Sequence, residues 1–423
     1  STAFYAKDGG SEAINDGTIT MMGKKAAGMY GEDITTFENK AGKSVEVQEE
    51  ESVGMYAEIG STATGTTTLD NKNQITVEQE KSVGMFVKNG TNDRTKGKAL
   101  NNTTTGKIDL NAKETVGIYT DNAEGVNDNV INVTKENSAG MYGSTDSHIT
   151  NNKEINVSHE NSAGMYALDS NATNTSTGKI TLTASSGASS GSAGMYGKLS
   201  SSSVKDYTVL NEGEIKLTSV TKNVGIYGEA ASGAAKTLTL QNNNEINIDN
   251  GSTKSVGIFA RNDLSNGVDT IKAINKAGAT ITVNSEESIG ISAVKSTVDN
   301  SGTITMNDKK SAGIYGKSGS EVTNNKKIEI KEEESAGIYL EDSNAVNAAA
   351  GTIDVHKGAS AGIYGKFTKN ATESSTIENS GIITLKNTAG QVKSAGIYGE
   401  LLATAAKKLT IKNNKKIEVN MEE

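Results

Sequence analysis

Cysteine, proline and tryptophan do not occur among the 423 residues, and only 4% of residues are aromatic. Without cysteine there is no disulfide framework, no thiol redox centre and no Cys-ligated metal site. The missing proline fits a chain whose strands are all central and need every N–H. Arginine is confined to Arg94 and Arg261, and the formal charge is −9. A nucleic-acid-binding face is usually basic and rich in arginine, so no nucleic-acid partner is expected. No apolar run approaches the roughly 18 residues of a membrane span, and no charged-then-apolar signal peptide opens the sequence. The 34% apolar share is spread evenly along the chain, and evenness of that kind points to a repeat.

One phrase recurs throughout: small–Gly–Met/Ile–Tyr, as in Ser138-Ala139-Gly140-Met141-Tyr142. Its glycines run from Gly28 to Gly396 and include Gly140, Gly164, Gly313 and Gly337, with a degenerate copy at Ser1–Tyr5. A second phrase, Ile/Val–x–apolar, alternates with it from Ile19 to Ile417. Fifteen copies of each give about 28 residues per unit. The second phrase leads to the next glycine in nine residues in ten of fourteen cases, whereas the glycine leads back to the next Ile or Val in 14 to 24. Insertions therefore gather at the corner after the tyrosine.

Asparagine is the third regularity. It stands four residues before the Ile at Asn15, Asn71, Asn127, Asn151, Asn211, Asn242, Asn300, Asn324, Asn379 and Asn413, and six before at Asn39, Asn102, Asn174, Asn275 and Asn347. Asn tolerates turn conformations, and stacked Asn amides form ladders. Each unit then reads as three short strands with period-two alternation and Gly/Asn/Ser turns. Such a unit cannot bury its own apolar face, but units stacked at about 4.8 Å can. The expected fold is all-β: a right-handed parallel β-helix, or β-solenoid, of about fifteen rungs, each of three short strands, as a monomeric rod. Met/Ile is expected to face inward, with Gly sharing the outer face with a tyrosine stripe that includes Tyr142, Tyr166, Tyr315 and Tyr339.

A longer period overlies the short one. Gly117 to Gly290, Gly140 to Gly313 and Gly164 to Gly337 are each 173 residues apart. The expected organisation is one continuous repeat segment, 1–423, with a six-rung block at 84–256 and 257–423 and a partial copy at 1–83. The pattern shows neither a capping helix nor a polar terminal rung, so this is expected to be a segment of a longer rod.

Candidate chemistry is thin. The carboxylates Glu49–Glu51, Glu286–Glu287 and Glu332–Glu334 recur at one corner with Lys81, Lys135, Lys309 and Lys310. That recurrence reads as a solvated corner rather than an acid–base pair. His148, His159 and His356 lack metal-ligand spacing. Serines two before the glycine, such as Ser52, Ser138, Ser311 and Ser360, read as a further ladder without a paired base. No catalytic residue, cofactor or metal is expected, and the insertion Ser185–Ser192 reads as a flexible bulge.

The phrases SAGMYG, SAGIYG and SVGMYA, alternating with NxGxIxV, resemble the passenger repeats of large fusobacterial autotransporter adhesins. The resemblance spans essentially the whole chain. It implies a surface-exposed β-helical passenger, exported through its own outer-membrane barrel and anchored at the bacterial surface by that barrel, which this chain does not contain. Its implied partners are proteins or glycans of host cells or other bacteria. The alternative is a β-helical enzyme acting on polysaccharide, which needs one rung with a unique polar cluster. In the adhesive reading contact falls to the corner loops, richest in non-repeat residues at Val87–Leu100 and Arg261–Lys272. Arg94, Lys96, Arg261 and Asp263 are the candidate contacts there.

If the Ile of every second phrase is core, Ile155→Asp or Ile328→Asp places an unpaired carboxylate between rungs and costs several kcal/mol. Far-UV circular dichroism should show lost strand signal and the melting midpoint should fall. A melt superimposable on the wild type contradicts the solenoid, as does helix content above about a tenth.

Overall fold

The computed structural model describes residues 1–102, 105–183, 191–218, 221–368, 373–388, 394–402 and 407–422. Each turn of chain gives three strands, for example Ala139–Ser144, His148–Asn151 and Glu154–Val157. Every third strand pairs, so three parallel sheets of fifteen strands form, and the fold is a right-handed parallel β-helix. Helix among the described residues is limited to two single 3-10 turns, Arg94–Lys96 and Val268–Thr270. By compactness the chain divides into two units, Ser1–Lys198 with Tyr207–Glu214, and Leu199–Asp206 with Ile215–Glu423.

Both units are built alike. In the first, Ile131, Ile155 and Ile180 stand in register on successive strands of the third sheet. In the second, Ile281, Ile304, Ile328 and Ile353 do the same. All are 0% exposed, as are Met141, Met165, Ile314 and Ile338 of the first sheet. Each such side chain taken from water contributes about 1.5–3 kcal/mol. Identical residues in register keep the cavity cross-section constant from rung to rung, which is what close packing requires.

The glycines do not share the tyrosine face. Register pairs run Ala312↔Ala336 and then Ile314↔Ile338, passing over Gly313. The chain bends at that point and carries both Gly313 and Ile314 inward. A Cβ on Gly313 would lie 2.6 Å from the Gly337 carbonyl oxygen and 2.7 Å from Ile328 Cγ2, and one on Gly164 would meet Gly194 and Ile180 in the same way. Close approach of backbone and core, not the tyrosine above, excludes a side chain.

The near-invariant nine-residue spacing also has a cause. Three residues before each of these glycines the backbone turns left-handed, at Asn137 (φ 58), Lys310 (φ 54) and Glu334 (φ 56) among others. A non-glycine residue there costs roughly 1–2 kcal/mol. The cost is offset from rung to rung. Lys310 N donates to Glu333 O at 3.2 Å, and the next residue, Ser311, donates its N–H to Ser335 Oγ at 3.1 Å. Ser138 does the same toward Ser162, at 3.2 Å. These corner serines are thus the N–H acceptors of a ladder. The corner charges pair between rungs, as Lys24–Glu50 at 2.9 Å and Lys254–Glu287 at 3.4 Å.

The asparagines form the deepest ladder. In the first unit Nδ2 of Asn15 donates to Asn39 Oδ1, Asn39 to Asn71, Asn71 to Asn101, Asn101 to Asn127, Asn127 to Asn151, Asn151 to Asn174 and Asn174 to Asn211, all at 2.8–2.9 Å. In the second the chain of bonds runs Asn242, Asn275, Asn300, Asn324, Asn347, Asn379, Asn413, at 2.7–3.0 Å. One member differs from the sequence expectation. Asn101, not Asn102, holds the ladder position, because the strand Gly97–Asn101 keeps its asparagine last, in register with Asn71. Asn102 instead donates to Asp70 Oδ1 at 3.0 Å.

Asn324 also donates to Lys326 O at 3.0 Å and is 0% exposed. Asn324→Ala leaves the Asn300 amide and the Asn347 carbonyl oxygen without their partner, and should cost about 2–4 kcal/mol. A urea or thermal melt reads this directly, and an unchanged midpoint would show that the ladder does not stabilise the turn.

Candidate functional site

With the repeated polar side chains engaged between rungs, the variable surface is the corner after each tyrosine. In the second unit three consecutive long corners stack on one another. Gly233 N donates to Asn266 Oδ1 at 2.9 Å, Asn266 Nδ2 to Ala231 O at 2.8 Å, and Thr237 N to Asp206 Oδ1 at 2.8 Å. Val204 and Leu264 stand out at the tips, 74% and 65% exposed. In the first unit Lys96 Nζ reaches back to Ala63 O at 2.6 Å. The corners following Tyr364 and Tyr398 fall partly, and the insertion Ser185–Ser192 mostly, outside the described residues.

The four candidate contact residues have different places. Arg94, in its 3-10 turn, points at the scaffold: its guanidinium is 3.8 Å from Asp146, and its Nε is buried without a hydrogen-bond partner. Lys96 is committed to the neighbouring corner. Asp263 closes its own turn, its Oδ1 accepting from Ser265 N at 2.9 Å and Ser265 Oγ at 2.6 Å, and these bonds hold its carboxyl below the usual range. Arg261 is exposed and ends the strand Val256–Arg261, between Glu229 and Val294 in register. The arginines share a rung number in the two copies but not a position. The residue equivalent to Arg261, 173 positions earlier, is Lys88.

What makes these loops rigid escaped the sequence reading. Asn89 and Asn262, each five residues after its phrase glycine, are buried at 5% and 3% exposure. Asn89 Nδ2 donates to Asp93 O at 2.8 Å and to Asn122 O at 2.9 Å; Asn262 donates to Gly267 O at 2.7 Å and to Lys295 O at 2.9 Å. One side chain thus pins a loop both to itself and to the next rung. Their shared offset within the 173-residue period was the available signal.

The tyrosines form a half-buried column. Centroids are 5.0 Å apart from Tyr30 to Tyr56, 4.9 Å from Tyr142 to Tyr166, 5.3 Å from Tyr315 to Tyr339 and 4.9 Å from Tyr339 to Tyr364. Where rings stack, their faces are taken by one another, and edges and hydroxyls face outward. The hydroxyls meet a charged column: Tyr30 donates to Glu32 at 3.0 Å, Tyr315 to Glu341 at 3.1 Å and Tyr364 to Glu400 at 3.0 Å. Burial, then these carboxylates, pushes Tyr364 up to about 12 and raises Tyr30 and Tyr315 further. Beside Tyr315–Tyr398 runs a groove of about 600 Å³, floored by alanines from Ala312 to Ala395 and rimmed by Lys310 and Glu334.

The histidines lie apart. His148 is lowered by burial and by Arg94, with Glu124 opposing; His159 is 3.8 Å from Glu136 and His356 3.4 Å from Glu329. Among the described residues no three His, Asp or Glu converge as a metal site.

A right-handed β-helix of three parallel sheets is the pectate lyase-like architecture. The chain matches the family model described as the BigA third pectate lyase-like domain over residues 92–206 and again over 201–416. That is more than half its length, and the chain belongs to this family of bacterial surface proteins. No curated protein and no solved structure matches it.

Phenols kept protonated in the folded chain bind their protons more tightly there than in the unfolded one. Stability from Tyr364 is therefore complete below about pH 10 and falls as pH rises toward about 12. Absorbance at 295 nm should show tyrosine ionisation delayed past the free-phenol midpoint and coincident with loss of strand signal. Ionisation of all tyrosines near pH 10 with the fold intact contradicts the buried column.

Proposed function

We propose that this chain is part of the surface-exposed passenger of an autotransporter-type adhesin and is not catalytic. It serves as a rigid β-helical rod or spacer whose corner loops carry any contact with host-cell or bacterial protein or glycan. The observation that carries this reading is the division of labour among polar groups. Asn and Ser ladders and corner ion pairs engage the recurring polar side chains between rungs, while the corner loops vary, protrude and are pinned by Asn89 and Asn262. Exposed segments fixed by a rigid scaffold are where binding concentrates. The family match supports a location at the bacterial surface. No helix among the described residues is long and apolar enough to cross a membrane, which leaves open a strand-built barrel elsewhere. The second reading, cleavage of polysaccharide, draws on the family's pectate lyase-like name; against it, the corner carboxylates recur and pair with lysines of adjacent rungs.

The test is adhesion of the purified chain to epithelial cells and to partner bacteria. It is compared with the double variant Asp263→Asn, Leu264→Gly at the exposed tip of the loop, in which Asn262 and Asn266 are kept. The adhesive reading expects at least a tenfold fall in binding with an unchanged melt. Equal binding by both removes that loop as a contact, and no binding by either makes the segment a spacer. Release of reducing ends from an acidic polysaccharide overturns the non-catalytic reading.

A further inference from the structure

Three Asn-Gly steps occur in the sequence, Asn89-Gly90, Asn250-Gly251 and Asn266-Gly267, and the fold treats them differently. Asn89 is buried and its amide fully engaged: Oδ1 accepts from Thr91 N at 2.9 Å, while Nδ2 donates to Asp93 O and Asn122 O. The next N–H, that of Gly90, donates to Ile59 O at 2.8 Å. Asn266 is buried too, with Oδ1 accepting from Gly233 N and Nδ2 donating to Ala231 O and Asn262 Oδ1. Asn250 is exposed, and its amide makes no hydrogen bond among the described residues. It stands with Gly251 (φ 88) at the tip of a turn in which Ser252 N donates to Asp249 O at 3.2 Å. The tip is an insertion, since Ile246 leads to Gly257 in eleven residues instead of the usual nine. Its base is held on the preceding rung: Asp249 N donates to Leu217 O at 2.8 Å and Lys222 N to Thr253 O at 3.0 Å. The Asp249 carboxylate pairs with Lys216 at 3.0 Å.

We propose that Asn250 is a site of spontaneous modification, at which the folded chain converts its own side-chain amide to aspartate or isoaspartate. The Gly251 nitrogen gives up its proton to hydroxide and attacks Asn250 Cγ. The N–Cγ bond forms, the Cγ–Nδ2 bond breaks, and Nδ2 takes a proton from water and leaves as ammonia. Water then opens the cyclic imide, at Cγ to give aspartate or at the main-chain carbonyl to give isoaspartate. Water is the only co-reactant. Glycine suits the attacking position because it has no Cβ to screen its nitrogen. Ring closure of this kind needs the reacting atoms aligned at about 3–3.5 Å, and a misplacement of about 1 Å costs on the order of 100-fold. At Asn250 no side-chain bond has to break before the amide swings over the Gly251 nitrogen, whose N–H is likewise unengaged among the described residues. At Asn89 and Asn266 three side-chain bonds must break first, and at Asn89 the attacking nitrogen is held as well. The product adds one negative charge beside Asp249 and leaves the asparagine and serine ladders untouched. The site is independent of the adhesive reading, since the reaction needs no partner.

The test is to hold the whole chain at mildly alkaline pH and body temperature and to follow each step by tryptic mass mapping. Trypsin separates the three steps into the peptides Asn89–Arg94, Thr237–Lys254 and Asn262–Lys272. Conversion at Asn250 should run at least about tenfold faster than at Asn89 or Asn266. In urea the three rates should come together, because only the fold distinguishes these steps. On anion exchange the native chain should develop a more acidic form that Asn250→Gln does not, the two chains having the same melting midpoint. Equal rates at the three steps in the folded chain overturn the proposal. So does conversion of Asn250 in urea but not in the folded chain, and so does the same acidic form arising from Asn250→Gln.

Discussion

Everything in this fold depends on one constraint: whatever occupies a position in one turn must tolerate its equivalent one strand spacing away. An isoleucine over an isoleucine satisfies it by packing, and an asparagine over an asparagine by donating with one end of the amide and accepting with the other. A buried carboxylate repeated in the same way would repel itself, which is why the interior polar column is built of amides and hydroxyls. Charged side chains appear only where solvent screens them and where lysine alternates with glutamate. The composition, low in aromatics and free of proline, is the mark left by that constraint on the whole chain.

The same constraint explains what could be read from the sequence. Period-two phrases at a fixed distance announce stacked strands, and the asparagine before each third strand announces the turn that closes them. Reading failed where one residue departs from local alternation. Gly313 and Ile314 both face inward because the backbone bends between them, and alternation has no symbol for a bend. Asn101 and Asn102 are adjacent asparagines, and the register with Asn71, invisible to spacing alone, decides between them.

Loops were legible by length but not by content. Arg94 and Arg261 drew attention as rare residues, yet one folds onto Asp146 and the other ends a strand. The residues that shape the loops, Asn89 and Asn262, hid among many asparagines. A second serine ladder went unread for a related reason. Ser147 and Ser170 in the first unit, and Ser320 and Ser343 in the second, accept N–H groups from preceding rungs at 3.1–3.2 Å, those of Ala123, Ser147, Ser296 and Ser320. They occur only in the shortest turns, where no insertion displaces the corner.

The asparagine column has a direction. In every bond of both units the lower-numbered residue donates and the higher-numbered one accepts, so the amide dipoles within a unit point the same way and polarise one another. Turning a single amide over would set two oxygens face to face on one side and two NH2 groups on the other. Neighbours could recover only by turning as well, until the defect reached an end. The turn carbonyls hold that single direction, as where Asn324 Nδ2 also donates to Lys326 O at 3.0 Å and Asn127 Nδ2 to Asn129 O at 3.0 Å. Each amide in the middle of the column is thus fixed three ways, by the rung before it, the rung after it and its own turn.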